Sequence, residues 1–152
     1  MNAGTTVQYT TGRAGLPAAA TVRRWVAAAL HGRKGARSVT VRFVDNEESQ
    51  SLNCEWRGKR RPTNVLAFPY SGAARLRGGQ LGDLVICVPV ARAEALAQHK
   101  PFKAHCAHLA VHGVLHLLGH DHDNDTEAER MEAMETAVLH RLGYPDPYTP
   151  IP

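Results

Sequence analysis

Residues 102–118 constrain this chain more than any other stretch. Leu109, Val111, Val114, Leu115 and Leu118 recur there at helical spacing, and apart from Lys103 the polar positions are all histidines: His105, His108, His112 and His116. A helix with so little polar surface belongs at the centre of a fold rather than on its outside. The expected architecture is built around one buried helix that carries a row of imidazoles.

Those imidazoles need a reason to be there, because on an apolar helix they lose hydration for no gain unless something binds them. His112 and His116 stand at i and i+4, so both rings leave one face about a turn apart and can hold one metal ion. His108 shares that face. At 1.5 Å rise per residue, however, His108 and His116 are about 12 Å apart along the axis, too far for one ion with Zn–N bonds of ~2.1 Å. One ion therefore takes an adjacent pair. The downstream pair is favoured, since Gly119 ends the helix and the turn it permits can bring His120, Asp121 and His122 back over the pair. Three neutral nitrogens leave a fourth tetrahedral position open, which points to catalysis rather than structure. His108 then reads as a buried histidine with a hydrogen-bond partner. Asp121 is placed to orient an imidazole or hold a water. In the zinc-protease pattern His-Glu-x-x-His the residue after the first histidine is the general base. Here that residue is Gly113, which weighs against peptide hydrolysis.

A chain of 152 residues suits one domain, 1–152, that buries roughly two-thirds of its unfolded surface, so no metal is needed merely to fold. Lys and Arg total 18 against 14 Asp and Glu, a net charge of +4, which leans mildly toward polyanions such as nucleic acid. The distribution is sharper than the total. Arg57-Gly58-Lys59-Arg60-Arg61 concentrates positive charge, Arg23-Arg24 and residues 31–37 add to it, and residues 121–135 are acidic. Lys59, Arg60 and Arg61 are candidates for contact with a polyanion backbone such as that of a nucleic acid, against the plainer reading of a solvated charge run. The three cysteines, Cys54, Cys87 and Cys106, form no close pair and fit a reducing cytosol better than a disulfide framework. Residues 1–16 lack a basic start followed by an apolar core, and no uncharged apolar run approaches the ~20 residues of a membrane span. The expected setting is cytoplasmic, with no membrane partner.

Along the chain, residues 5–10 suggest an edge strand, and 17–30 an alanine-rich helix with Pro17 in its first turn. A basic, glycine-flanked loop at 32–35 leads into the alternating strand 38–44. Asp45 is placed to cap a helix through Trp56. Residues 64–68 read as a strand closed by Pro69, followed by a loop with four glycines from Gly72 to Gly82. Residues 83–88 suit a strand buried on both faces. A short helix follows at 91–98, then the histidine helix, then a helix ending at Gly143, for which Thr126 and Glu129 fit a capping box. About four strands among about five helices make the fold class α+β, with mixed pairing allowed by the βα alternation.

The run His112-Gly113-Val114-Leu115-His116-Leu117-Leu118-Gly119-His120-Asp121-His122 resembles the signature of the bacterial YbeY family of rRNA maturation factors. Arg57-Gly58-Lys59 followed by Pro62-Thr63-Asn64-Val65-Leu66-Ala67-Phe68-Pro69 resembles a second motif of that family. Leu81-Gly82-Asp83-Leu84-Val85-Ile86-Cys87 resembles a third, and Glu127-Ala128-Glu129, Met131-Glu132 and Gly143-Tyr144 fit its C-terminal helix. The likeness covers roughly residues 45–148. It implies an α+β domain with a small mixed sheet, one zinc ion on His112, His116 and His122, and Arg57 as the basic residue required beside them, with Asp121 adjacent. His120 stands where many members have tyrosine. The implied activity is single-strand-specific endoribonuclease cleavage in 3′-end maturation of small-subunit (16S) rRNA and in ribosome quality control, with RNA and the small ribosomal subunit as partners. A non-catalytic ribosome-assembly factor with a structural metal is the alternative, and a metalloprotease a more distant one.

Overall fold

The computed structural model describes residues 4–31, 38–59, 61–70 and 79–149. The basic loop at 32–35, Arg60 and most of the glycine-rich loop lie outside the described residues. In chain order the elements are β1 (Thr6–Tyr9), α1 (Ala19–Ala29), β2 (Ser38–Val44), α2 (Asn46–Arg57), β3 (Val65–Pro69), β4 (Gln80–Cys87), α3 (Val88–Ala97), α4 (Phe102–Leu117) and α5 (Asp125–Arg141). The strands form one sheet in the order β1-β2-β4-β3. β1, β2 and β4 run parallel, and β3 pairs antiparallel with β4. The mixed four-stranded α+β fold read from the sequence is the one observed, and β1 is an edge strand as expected.

Strand alternation sorts the side chains onto two faces. Val39, Val41 and Phe43 of β2 join Leu84 and Ile86 of β4 in the main core beneath α1, α4 and α5. Val44, Leu66, Val85 and Cys87 face the other way, against Leu52 of α2. β4 is thus buried on both sides, as its unbroken apolar run requires. α4 lies across the main core with buried residues from His105 to Leu117 on every side but the stripe of His108, His112 and His116. Among the described residues no helix is long and apolar enough to cross a membrane.

Four boundaries differ from the sequence expectation by two residues or more, each for a local reason. α1 starts at Ala19 after an Ala18 N-cap, because the Tyr9 hydroxyl donates to the Pro17 carbonyl at 2.5 Å and holds that residue outside the helix. β4 starts at Gln80 rather than Asp83, the Tyr70 amide extending the ladder by donating to Leu81 O at 2.8 Å. α3 starts at Val88 rather than Ala91, with Pro89 in its first turn, where a missing N–H costs nothing. The cap of α5 is Asn124, whose Oδ1 accepts from the Glu127 amide at 2.9 Å, and not Thr126, which is already helical. The expected Asp45 cap is present, its Oδ1 accepting from Glu48 N at 2.9 Å.

Two details hold the functional elements. A Cβ on Gly113 would lie 2.6 Å from Leu84 Cδ2, so glycine is what lets α4 settle directly on β4. Buried Asn53 of α2 donates from Nδ2 to Arg61 O at 2.8 Å, and Ser49 Oγ exchanges hydrogen bonds of 3.0 Å with the backbone of Thr63, which staples the loop after α2 to the helix. Gly113→Ala is expected to cost about 1–3 kcal/mol through overpacking, read as a lower urea midpoint at unchanged m-value. Asn53→Ala should cost about 1–3 kcal/mol by orphaning the Arg61 carbonyl and should speed amide exchange across residues 58–63.

Candidate metal centre and its groove

α4 ends in a turn that doubles the chain back. Leu118 is the C-cap, and Gly119 follows at φ 100, a left-handed conformation suited to glycine. The Gly119 amide donates to His116 O and the His120 amide to Leu115 O, both at 3.0 Å. The paired bonds of this cap aim the next residues at the helix face carrying His112 and His116. The rings of His112 and His116 have centroids 4.6 Å apart, and the His122 ring lies 5.8 Å from the first and 5.1 Å from the second. Each of the three residues offers a ligand atom within 4.8 Å of the others. His120 is in neither of the two potential ligand clusters found among the described residues, so the structure brings His122, and not His120, to the His112–His116 pair.

The donor set fits a metal ion. His112 Nε2 and His116 Nε2 are 3.1 Å apart, close to the ~3.4 Å that two ligands on tetrahedral zinc with ~2.1 Å bonds require. His112 Nδ1 lies 2.7 Å from Glu135 Oε2. An ionised carboxylate only accepts, so Nδ1 carries the proton and the Nε2 lone pair points at the cluster. Desolvation, together with the neighbouring His112 and His122, lowers the His116 pKa. That favours the neutral imidazole a metal needs.

His108 is not in this triad. Its Nε2 donates to Glu135 Oε1 at 2.7 Å, the partnered role expected from its spacing. Asp121 Oδ1 accepts from the His122 amide at 2.7 Å and lies 3.9 Å from His122 Nδ1. The backbone bond from His122 is the main reason the Asp121 pKa is lowered.

His112, His116, His122 and Asp121 line one groove of about 1160 Å³, and Arg57 lines it too. Arg57 closes α2 before Gly58 turns left-handed at φ 70. Lys59 and Arg61 are exposed on the loop beyond that turn and are not among the groove's lining residues. Arg60 lies outside the described residues. Of the described cations of the basic run, Arg57 lines the groove and Lys59 and Arg61 do not.

Sequence reading missed Glu135. It is fully buried and shares the inward face of α5 with Met131, Val138 and Leu139. Burial alone would raise its pKa, but hydrogen bonds from His108 and His112 outweigh that and bring it down to about 2. The signal was available. At four residues after Met131 and three before Val138, a glutamate interrupts an apolar stripe, which in a stable helix calls for a buried partner.

Comparison with known proteins places the whole fold in a family. The sequence model of the family described as Endoribonuclease YbeY matches residues 13–143, extending upstream of the motifs to take in α1. A protein named Endoribonuclease YbeY from Stenotrophomonas maltophilia is 54% identical over 93% of this chain and 91% of its own length. One of the same name from Xanthomonas oryzae pv. oryzae is 53% identical with the same coverage. A Thermotoga maritima protein solved in solution shares the fold, with a TM-score of 0.62 and 21% identity over 96% of this chain and 99% of its own. With a family match that runs from α1 through α5, and relatives more than half identical over nearly its whole length, this chain belongs to the YbeY endoribonuclease family.

Proposed function

We propose that this chain is a zinc-dependent endoribonuclease for single-stranded RNA, acting in the cytoplasm on the maturing 3′ end of small-subunit (16S) rRNA and in ribosome quality control. One observation carries the reading: three imidazoles with ligand atoms within 4.8 Å of one another open onto a groove that Arg57 also lines. The names of the curated relatives supply the reaction class, and the family resemblance supplies the rRNA and small-subunit partners. The three free cysteines suit a reducing compartment.

His112, His116 and His122 would hold one zinc ion through ring nitrogens. When bound, zinc supplies Lewis-acid polarisation of a phosphoryl oxygen and a more acidic water at neutral pH. Arg57 brings a permanent cation, whose guanidinium pairs with non-bridging phosphate oxygens and stabilises the charge that builds as the phosphodiester is attacked. Asp121 holds the His122 backbone through one carboxylate oxygen and, being ionised, offers lone pairs to the proton of the attacking hydroxyl. Lys59 and Arg61, beside the groove, and Arg60 contact the RNA backbone and contribute salt-dependent affinity.

Peptide hydrolysis loses further ground on packing. The helix position that carries the base in a His-Glu-x-x-His protease is Gly113, and it is pressed against Leu84 with no room for a side chain.

The purified protein is expected to bind about one zinc. His116→Ala should lose both zinc and cleavage of a precursor rRNA 3′ end, and Arg57→Ala should keep zinc while kcat falls on the order of 10²–10³-fold. Cleavage that survives metal removal and His116→Ala overturns the proposal. Normal rRNA processing by zinc-loaded Arg57→Ala, without cleavage, points instead to an assembly factor with a structural metal.

A further inference from the structure

Burying an ionised carboxylate costs several kcal/mol unless its oxygens are occupied, and Glu135 is buried completely on the core side of α5. Its donors come from two other parts of the chain. His112 Nδ1 and His108 Nε2, both on α4, each lie 2.7 Å from one of its oxygens. The third donor is the Tyr148 hydroxyl from the C-terminal tail.

That tail is folded back deliberately. Lys100 Nζ donates to the Pro147 carbonyl, and the Tyr148 amide donates to Asp146 Oδ1 at 2.8 Å. The Tyr148 ring meets the His108 ring edge-on, with centroids 5.3 Å apart. Tyrosine thus sits over the carboxylate with its hydroxyl inward while 44% of the residue stays exposed.

We propose that Glu135 is a positioning residue for the metal centre: it fixes His112 as the Nδ1–H tautomer with Nε2 facing His116 and His122, and Tyr148 locks Glu135 in that arrangement. The role rests on His112 being a zinc ligand. Its logic is that of a carboxylate–histidine–metal triad, in which the outer carboxylate sets ring orientation and raises ligand basicity.

His108, His112 and Glu135 also offer ligand atoms within 4.8 Å of one another, which raises the question of a second metal site. The hydrogen bonds argue against it. Each imidazole nitrogen facing Glu135 must carry a proton to satisfy the carboxylate, so neither has a lone pair to give there. Facing Glu135 with Nδ1 also leaves His112 Nε2 for the triad.

Glutamine at this position would offer one carbonyl oxygen to three donors. If its amide group met His112 Nδ1, the tautomer would reverse and Nε2 would carry the proton, removing the lone pair from the metal. The test uses the full chain, zinc alone as ligand, chelator competition for affinity and long-range ¹H–¹⁵N correlation for the histidine tautomers.

The wild type is expected to show His112 protonated at Nδ1 whether or not zinc is bound. Glu135→Gln should bind zinc roughly ten- to a hundred-fold more weakly and shift or lose the His112 Nδ1–H signal. Tyr148→Phe, which keeps the ring, should weaken zinc by a smaller factor with the tautomer retained. His112 protonated at Nε2 in the wild type overturns the inference, and this reading needs no variant to fold. Unchanged zinc affinity in a folded Glu135→Gln overturns it as well, as does a second zinc in the wild type that this variant removes, since Glu135 would then be a ligand. A wild type that binds no zinc but shows the Nδ1–H tautomer sinks the zinc-enzyme reading while upholding the action of Glu135 on His112.

Discussion

The orientation of α4 about its own axis is the constraint on which the rest depends. α1, α3, α5, β3 and β4 all pack against it, and that leaves a single stripe of the helix facing outward. His108, His112 and His116 occupy that stripe at steps of four residues, half-buried, while Val111, Val114, Leu115 and Leu117 are enclosed. A slip of one residue would turn the helix by about 100°, put imidazoles into the core and expose leucines worth about 1.5–3 kcal/mol each. Apolar burial, without any metal, therefore aims the nitrogens.

Electrostatics then decides which nitrogen does what. Desolvation raises the pKa of Glu135 and lowers that of His116, favouring the neutral form of each. For His116 desolvation prevails and the ring stays neutral. For Glu135 the donated hydrogen bonds prevail and the carboxylate stays charged. A neutral His116 and a charged Glu135 thus stand on the same helix pair, because the anion has three donors and His116 has none of comparable strength.

Much of this was legible in the sequence because it is periodic or local. The alternation in β2, the apolar run of β4, the Asp45 cap, the glycine turn after α4 and the i, i+4 histidine pair are all short-range patterns with short-range causes. What escaped depends on distant partners. Glu135 and His112 are 23 residues apart, and no pattern within α5 names the histidine. The early start of β4 depends on Tyr70, and the late start of α1 on Tyr9 reaching Pro17. Where the basic run divides is also hidden from the sequence, which does not display that Gly58 turns left-handed directly after Arg57. The choice between His120 and His122 was open on spacing alone, since both follow the same turn, and only the direction of that turn separates them.

The groove owes its mixed chemistry to its place at the edge of the sheet. α2 packs on one face and α4 on the other, so Arg57 and the histidines come together only where the sheet stops, beside the edge strand β3. The groove wall there includes Asn64, Val65, Ala67 and Pro69. Cys87 N donates to Asn64 O at 2.9 Å and Tyr70 N to Leu81 O at 2.8 Å. That alternation directs the amide of Ala67 away from β4 and toward the groove. An exposed strand edge invites unwanted pairing, and Pro69, which has no N–H to offer, limits it here. What remains is a wall of backbone polar groups between a fixed cation and a cluster of imidazoles. A polar, extended segment can pair with the backbone groups of β3 and meet Arg57 at one side, while Glu94, Asp121 and Asp123 line the same groove and would repel an anion placed beside them, whereas an apolar segment would leave the backbone groups of β3 unsatisfied.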